Sequence, residues 1–119
     1  MKKRFYKIFI EDILESMNKI ERFTKDLTYE KFTENEMTAD AVVRNLEIIG
    51  EATKNIPKEI REKYPGIPWK RMIGLRNIVV HEYFGVDLSI VWEIITKNLP
   101  ETKPMIRGIL KEFDEEKEL

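Results

Sequence analysis

The run Arg76-Asn77-Ile78-Val79-Val80-His81-Glu82-Tyr83 gathers most of the side chains in this chain that can move a proton near neutral pH. His81 is the only histidine, and cysteine is absent. Histidine is the side chain whose unperturbed charge changes in the range of about pH 5 to 8. Arg76 stands five residues before it and Tyr83 two residues after it. If the chain is an enzyme, its chemistry belongs here.

That set suits phosphodiester chemistry. Arginine offers a planar, permanently charged fork for phosphate oxygens. Histidine can take a proton from a ribose 2′-hydroxyl or give one to the leaving 5′-oxygen. Asn77 can orient the imidazole or hold the phosphate. On a helix turning about 100° per residue, Asn77 and His81 stack at i,i+4. Arg76 and Tyr83 share the adjacent face, across Val80. An RNA supplies its own nucleophile, so no metal is needed. Such a reaction usually wants two proton-transfer groups, and a symmetric dimer that juxtaposes two copies of the run supplies them. A structural reading fits the same residues. A histidine near a helix C-terminus can meet the dipole and the free carbonyls, an arginine can pair with a carboxylate, and a tyrosine can be a core residue with a wet hydroxyl. Spacing alone leaves both readings open.

Composition narrows the alternatives. A chain of 119 residues with 42% apolar side chains is one domain with a real core. The net charge of −1 gives no bulk attraction to nucleic acid. The charge is nevertheless uneven. From Lys54 to Arg76 seven basic side chains face two acidic ones, so a basic stretch leads into the run. From Lys111 to Leu119 two basic side chains face five acidic ones. Without cysteine there is neither a disulfide framework nor a thiolate nucleophile. One histidine among scattered carboxylates gives no zinc spacing, and Glu82 and Asp87 could hold a hard cation only weakly. No glycine-rich phosphate loop or nucleophile elbow occurs. No apolar stretch reaches signal-peptide or membrane-span length, so a cytoplasmic protein is expected.

The elements that must carry the run read as helices throughout, an up-and-down bundle of four long helices and some short ones. Phe9, Ile13, Met17 and Ile20, widened by Phe5, Ile10 and Leu14, predict a first helix over about Arg4–Phe23. Tyr29–Phe32 reads as a short helical turn. Asp40 is the expected N-cap of a helix from Ala41 to about Asn55, with Val42, Val43, Leu46, Ile49 and Ala52 on its apolar face; Pro57 bars its extension. A short helix follows over Lys58–Lys63. Pro68 opens the helix of the run, which reaches about Phe84 with Gly85 at its left-handed end. Asp87 caps a helix over Leu88–Asn98. Pro100 restarts or kinks the chain, and a last helix runs to about Phe113, with the acidic tail from about 114 to 119 fraying. Gly74, inside the helix of the run, costs roughly 1 kcal/mol against alanine. A close approach by another helix, from this subunit or a second one, would account for it.

The chain resembles a known family. Arg76, His81 and Tyr83 match the R-x4-H-x-Y motif of the HepT toxins, within the HEPN superfamily of helical ribonucleases. Asp40-Ala-Val-Val-Arg-Asn-Leu-Glu-Ile-Ile-Gly-Glu-Ala52, Ile67-Pro-Trp69, Tyr83-Phe-Gly-Val-Asp87, Ile90-Val-Trp92 and Leu99-Pro100 carry the likeness along almost the whole chain. The resemblance implies a single HEPN-like domain over residues 1–119 that forms a homodimer with its two motifs facing across the interface. It implies a metal-independent ribonuclease, Arg76 and His81 catalytic, acting on RNA with tRNA the target class. It also implies a toxin–antitoxin system. The partner would be a minimal nucleotidyltransferase antitoxin, MntA, which transfers AMP from ATP to Tyr83. A modified Tyr83 would crowd the phosphate site at Arg76.

Other residues take their reading beside this. Arg44, Glu47 and Glu51 lie at one-turn spacings on the second long helix. They form either a surface charge network or, as the resemblance favours, the lining of the cleft by Arg44 or Glu51. Trp69 and Trp92 read as core or interface anchors rather than stacking platforms for RNA. Lys70 and Arg71 are RNA-backbone candidates or merely solvated charges. Two other readings compete with a ribonuclease: a non-catalytic helical partner that accepts AMP from a nucleotidyltransferase, and a purely structural helical dimer.

Overall fold

A computed structural model describes residues 2–80 and 87–118; the side chains of residues 2–4, 78–80 and 116–118 lie outside that description. Every element among the described residues is a helix. Four long ones, α1 (Lys2–Thr24), α3 (Glu36–Lys54), α5 (Trp69–Val80) and α7 (Leu99–Glu118), are joined by the short helices α2 (Tyr29–Glu34), α4 (Lys58–Lys63) and α6 (Leu88–Glu93) and by a π-helical turn at Ile94–Asn98. This is the expected all-α bundle. None of the described helices is long and apolar enough to cross a membrane.

The long helices form because their apolar residues recur at three- and four-residue spacing, and the bundle holds because those stripes meet. α3 lies between α1 and α5, and α7 closes on α1. Ile10, Ile13, Met17 and Ile20 of α1, Val42, Leu46 and Ile49 of α3, and Ile106 and Ile109 of α7 are all but sealed from water. Each such side chain contributes about 1.5–3 kcal/mol relative to an exposed one. The α1 stripe is turned by one residue from expectation at its start. Tyr6 is buried and packs edge-on against Phe113, ring centroids 5.5 Å apart, whereas Phe5 is 60% exposed. Residues 6, 10, 13, 17 and 20 keep one face, and Phe5 lies about 100° away from Tyr6.

Helix ends follow local chemistry. α1 stops where the Thr24 hydroxyl donates back to the Ile20 carbonyl and Asp26 takes a left-handed backbone, φ 62°; aspartate tolerates that region better than most residues. α3 begins earlier than expected. The Asn35 side chain, not Asp40, accepts the Thr38 amide at 3.0 Å, and Asp40 lies within the helix. α3 ends at Lys54, before Pro57. α4 has its expected bounds. The Pro68 carbonyl accepts the Met72 amide and so starts α5. The rest of the expected helix of the run, with Gly85 at its end, lies outside the described residues.

Pro100 does not break the helix, although the α-helical pattern is interrupted just before it by the π turn and resumes at Leu99. Helix is continuous from Leu88 through the π turn to Glu118, beyond the expected end at Phe113, and Pro104 lies inside it as well. A proline ring in an α-helix collides with the carbonyl four residues back, which for Pro100 belongs to Thr96. Thr96 lies in the π turn, where the spacing is wider: the Leu99 amide reaches back five residues to the Ile94 carbonyl. The extra width accommodates the ring.

Asp87 caps α6 as expected, accepting the Ser89 amide at 2.9 Å and the Ser89 hydroxyl at 2.6 Å. These hydrogen bonds, the hydroxyl's first, hold its carboxyl below the ordinary value of 3.8. A lowered folded pKa stabilises the fold above the unfolded pKa and is lost as pH falls through the folded one. An NMR titration of the Asp87 carboxyl should therefore show a midpoint below 3.8, and the amides of Leu88–Val91 should exchange faster once it is protonated. A midpoint at or above the ordinary value would contradict the cap.

Candidate active site

The site grows from the contact of α3 with α5. Leu46, Ile49 and Thr53 bury one face of α3, and Gly50 sits at its edge against α5. A Cβ added at Gly50 would lie 2.9 Å from the Arg76 amide nitrogen, 3.2 Å from Arg76 Cβ and 3.3 Å from the Ile73 carbonyl oxygen. Only glycine lets α5 approach this closely. Within this chain the close helix approach is at Gly50, whereas a Cβ on Gly74 would meet nothing within 4 Å among the described residues; an approach to Gly74 from a second subunit stays an expectation.

The next residue of α3 finishes the placement. The Glu51 carboxylate pairs with Arg76 Nη1 at 2.7 Å, each side chain 44% exposed. One turn before it, Arg44 pairs with Glu47 at 3.2 Å. Arg44, Glu47 and Glu51 line one groove of about 220 Å³ between α1 and α3, together with Phe9, Asp12 and Ile48. The surface charge network expected on α3 is therefore half present: Arg44 stays on its own helix, and Glu51 reaches across to α5. The arrangement offers a guanidinium held by a carboxylate that lines this groove, a cation of the kind that captures a phosphate.

The other sequence-level candidates scatter. Asn77 is exposed, beside Arg76 on α5. Lys70 and Arg71 are exposed at the start of α5 and line other grooves than the one beside Glu51. Trp69 is buried, its indole N–H donating to the Tyr64 carbonyl at 2.9 Å. Trp92 packs on Phe32 and Tyr29 at centroid distances of 5.2 and 6.1 Å. Both tryptophans are anchors of the core. His81 and Tyr83 lie outside the described residues, so the geometry bears on Arg76 and its support alone. Among the described residues no group of histidine, aspartate and glutamate could hold a metal ion.

Sequence reasoning missed Gly50. Its signal was present: a glycine four residues after buried Leu46, on the packing side of an amphipathic helix, marks a close backbone approach.

Comparison with known proteins supplies what the single chain does not. The sequence model of a family described as "Ribonuclease HepT-like" matches residues 13–109. The candidate RNase MJ0125 of Methanocaldococcus jannaschii is 50% identical over 115 residues, covering 97% of this chain and 99% of that protein. The probable ribonuclease HepT of Thermococcus cleftensis is 43% identical over 109 residues, 92% of this chain and 99% of that one. The candidate RNase TTE0752 of Caldanaerobacter subterraneus is 43% identical over 103 residues, 87% and 92% of the two chains. No solved structure matches.

Proposed function

The chain belongs to the HepT-like ribonuclease family, and from that premise we propose that it is the toxin of a toxin–antitoxin pair, a metal-independent ribonuclease acting on tRNA through a site shared by two subunits. Arg76 binds the scissile phosphate. His81 moves the proton, and the histidine of the second subunit supplies the complementary transfer, acid where the first is base. Asn77, Arg44 and Glu51 support the pair, and Lys70 and Arg71 hold flanking phosphates. AMP transferred from ATP onto Tyr83 by an MntA-type nucleotidyltransferase silences the site, because the added phosphate competes for Arg76.

The observation that carries this reading is the guanidinium of Arg76, fixed at 2.7 Å from Glu51 and half exposed, within a motif whose chemistry needs that cation. The direct test incubates the purified protein, with Tyr83 verified as unmodified by mass spectrometry, with a tRNA pool in excess EDTA. Cleavage is expected, and it should cease after treatment with the nucleotidyltransferase and ATP, with the mass of one AMP gained at Tyr83. Cleavage that requires added divalent metal would overturn the metal-independent mechanism. AMP transfer to a dimer that never cleaves RNA would favour the AMP-accepting partner instead.

A further inference from the structure

We infer that Glu51 is a positioning residue for Arg76, holding the guanidinium at Nη1 so that its Nε–Nη2 edge is presented to the phosphate. The inference rests on the ribonuclease reading above and deepens it. Glu51 engages Nη1 at 2.7 Å. The opposite edge of the group, Nε with Nη2, is the fork that takes two phosphate oxygens side by side.

Stability does not account for this pair. Both side chains are 44% exposed, and ion pairs at that exposure add little to a fold. What the pair supplies is order. A free arginine side chain spreads over many rotamers, and each must be given up when a phosphate is bound. Glu51 removes that freedom in advance, and the neighbouring Gly50 removes slack in the backbone that carries Arg76. Two consecutive residues of α3 thus set one functional group on α5, one through the backbone and one through the side chain. A misplacement of about 1 Å can cost roughly 100-fold in rate.

Arg44 provides the contrast. It is tied to Glu47 within its own helix, i,i+3, at 3.2 Å with 66% of its side chain exposed. Such a pair can form on any helix and fixes nothing in a second element. Only the Glu51–Arg76 pair crosses from α3 to α5 among these residues.

The test compares the parent with Glu51→Ala and Glu51→Gln in single-turnover tRNA cleavage, alongside melting temperatures and the Arg76 Nε–H NMR signal, assigned with Arg76→Lys. Glu51→Ala should cleave about 10- to 100-fold more slowly, with melting unchanged. The Arg76 signal should broaden or move towards the solvent-averaged position. Glu51→Gln, which keeps the size and an acceptor oxygen, should recover most of the rate. A parental rate in Glu51→Ala, or an unmoved Arg76 signal, would overturn the positioning role. Failure of the parent itself to cleave would instead overturn the ribonuclease mechanism, and the NMR comparison would still decide whether Glu51 holds Arg76.

Discussion

Alanine at His81 is expected to slow RNA cleavage by roughly 100- to 10,000-fold, the range that a positioned general acid–base contributes. The chain has no second histidine and no cysteine to take over, so rescue from within the same subunit is not available at neutral pH. Arg76→Ala should fall at least as far, because it removes the charge proposed to meet the phosphate. Arg76→Lys should recover only part of the loss, since an ammonium keeps the charge but not the two-pronged geometry. Melting temperatures should stay close to the parent's in the Arg76 variants. The guanidinium and its Glu51 partner are half exposed, so neither is left buried and unpaired. Single-turnover rates in EDTA read the first effect and thermal denaturation the second. If His81→Ala cleaved at the parental rate, the acid–base assignment would fall.

The largest expected loss of stability is at Gly50. Any side chain there begins 2.9 Å from the Arg76 backbone nitrogen, and a backbone neighbour cannot swing aside as a side-chain tip can. Crowding a packed site costs about 1–3 kcal/mol, while leaving glycine gains about 1 kcal/mol in helix propensity. Gly50→Ala should therefore lose about 1 kcal/mol net, with the sign set by the contact. Gly50→Val should lose about 3 kcal/mol or more, because its two methyl groups widen the clash and α5 must move away. Activity should fall with it, since the displaced element carries Arg76. Gly108 is the control. It is helical, exposed and open, with nothing within 4 Å of an added Cβ, so Gly108→Ala should stabilise by up to about 1 kcal/mol. Chemical denaturation of the three variants reads the contrast directly. Equal effects at Gly50 and Gly108 would mean that the α3–α5 contact is looser than described.

These two predictions separate what could be read in the sequence from what could not. The helices were legible because their apolar stripes repeat at helical spacing and local signals mark their ends, Pro57 before Lys58–Lys63 and the capping Asp87 before α6. The motif residues were legible because their chemistry is scarce in this composition. Phase and caps were less so. Phe5 and Tyr6 are both aromatic, and only the packing of Phe113 chooses Tyr6. Asn35 and Asp40 both carry capping side chains, and the bonded Thr38 amide decides for Asn35. The Glu51–Arg76 pair was out of reach for a different reason. Twenty-five positions separate the two residues, and nothing in either local pattern states how far apart α3 and α5 lie. Glu51 could be placed near the cleft only through the family likeness, and its partner came from the structure.

The π turn at Ile94–Asn98 carries a consequence for how this chain can change in length. Core positions Val91, Ile95 and Leu99 step by four and four through the turn, and Thr102, Ile106 and Ile109 resume the α-helical rhythm beyond it. Four-residue steps through a wide turn hold the same face as mixed three- and four-residue steps through a narrow one. Removing one residue between Ile94 and Asn98 would let the turn relax to an ordinary α-helix while the flanking faces stay in phase. Elsewhere in α7 the same deletion would rotate every later core residue by about 100°. Natural variation by a single residue should therefore collect in this turn, provided the proline that its width accommodates is lost along with the extra residue.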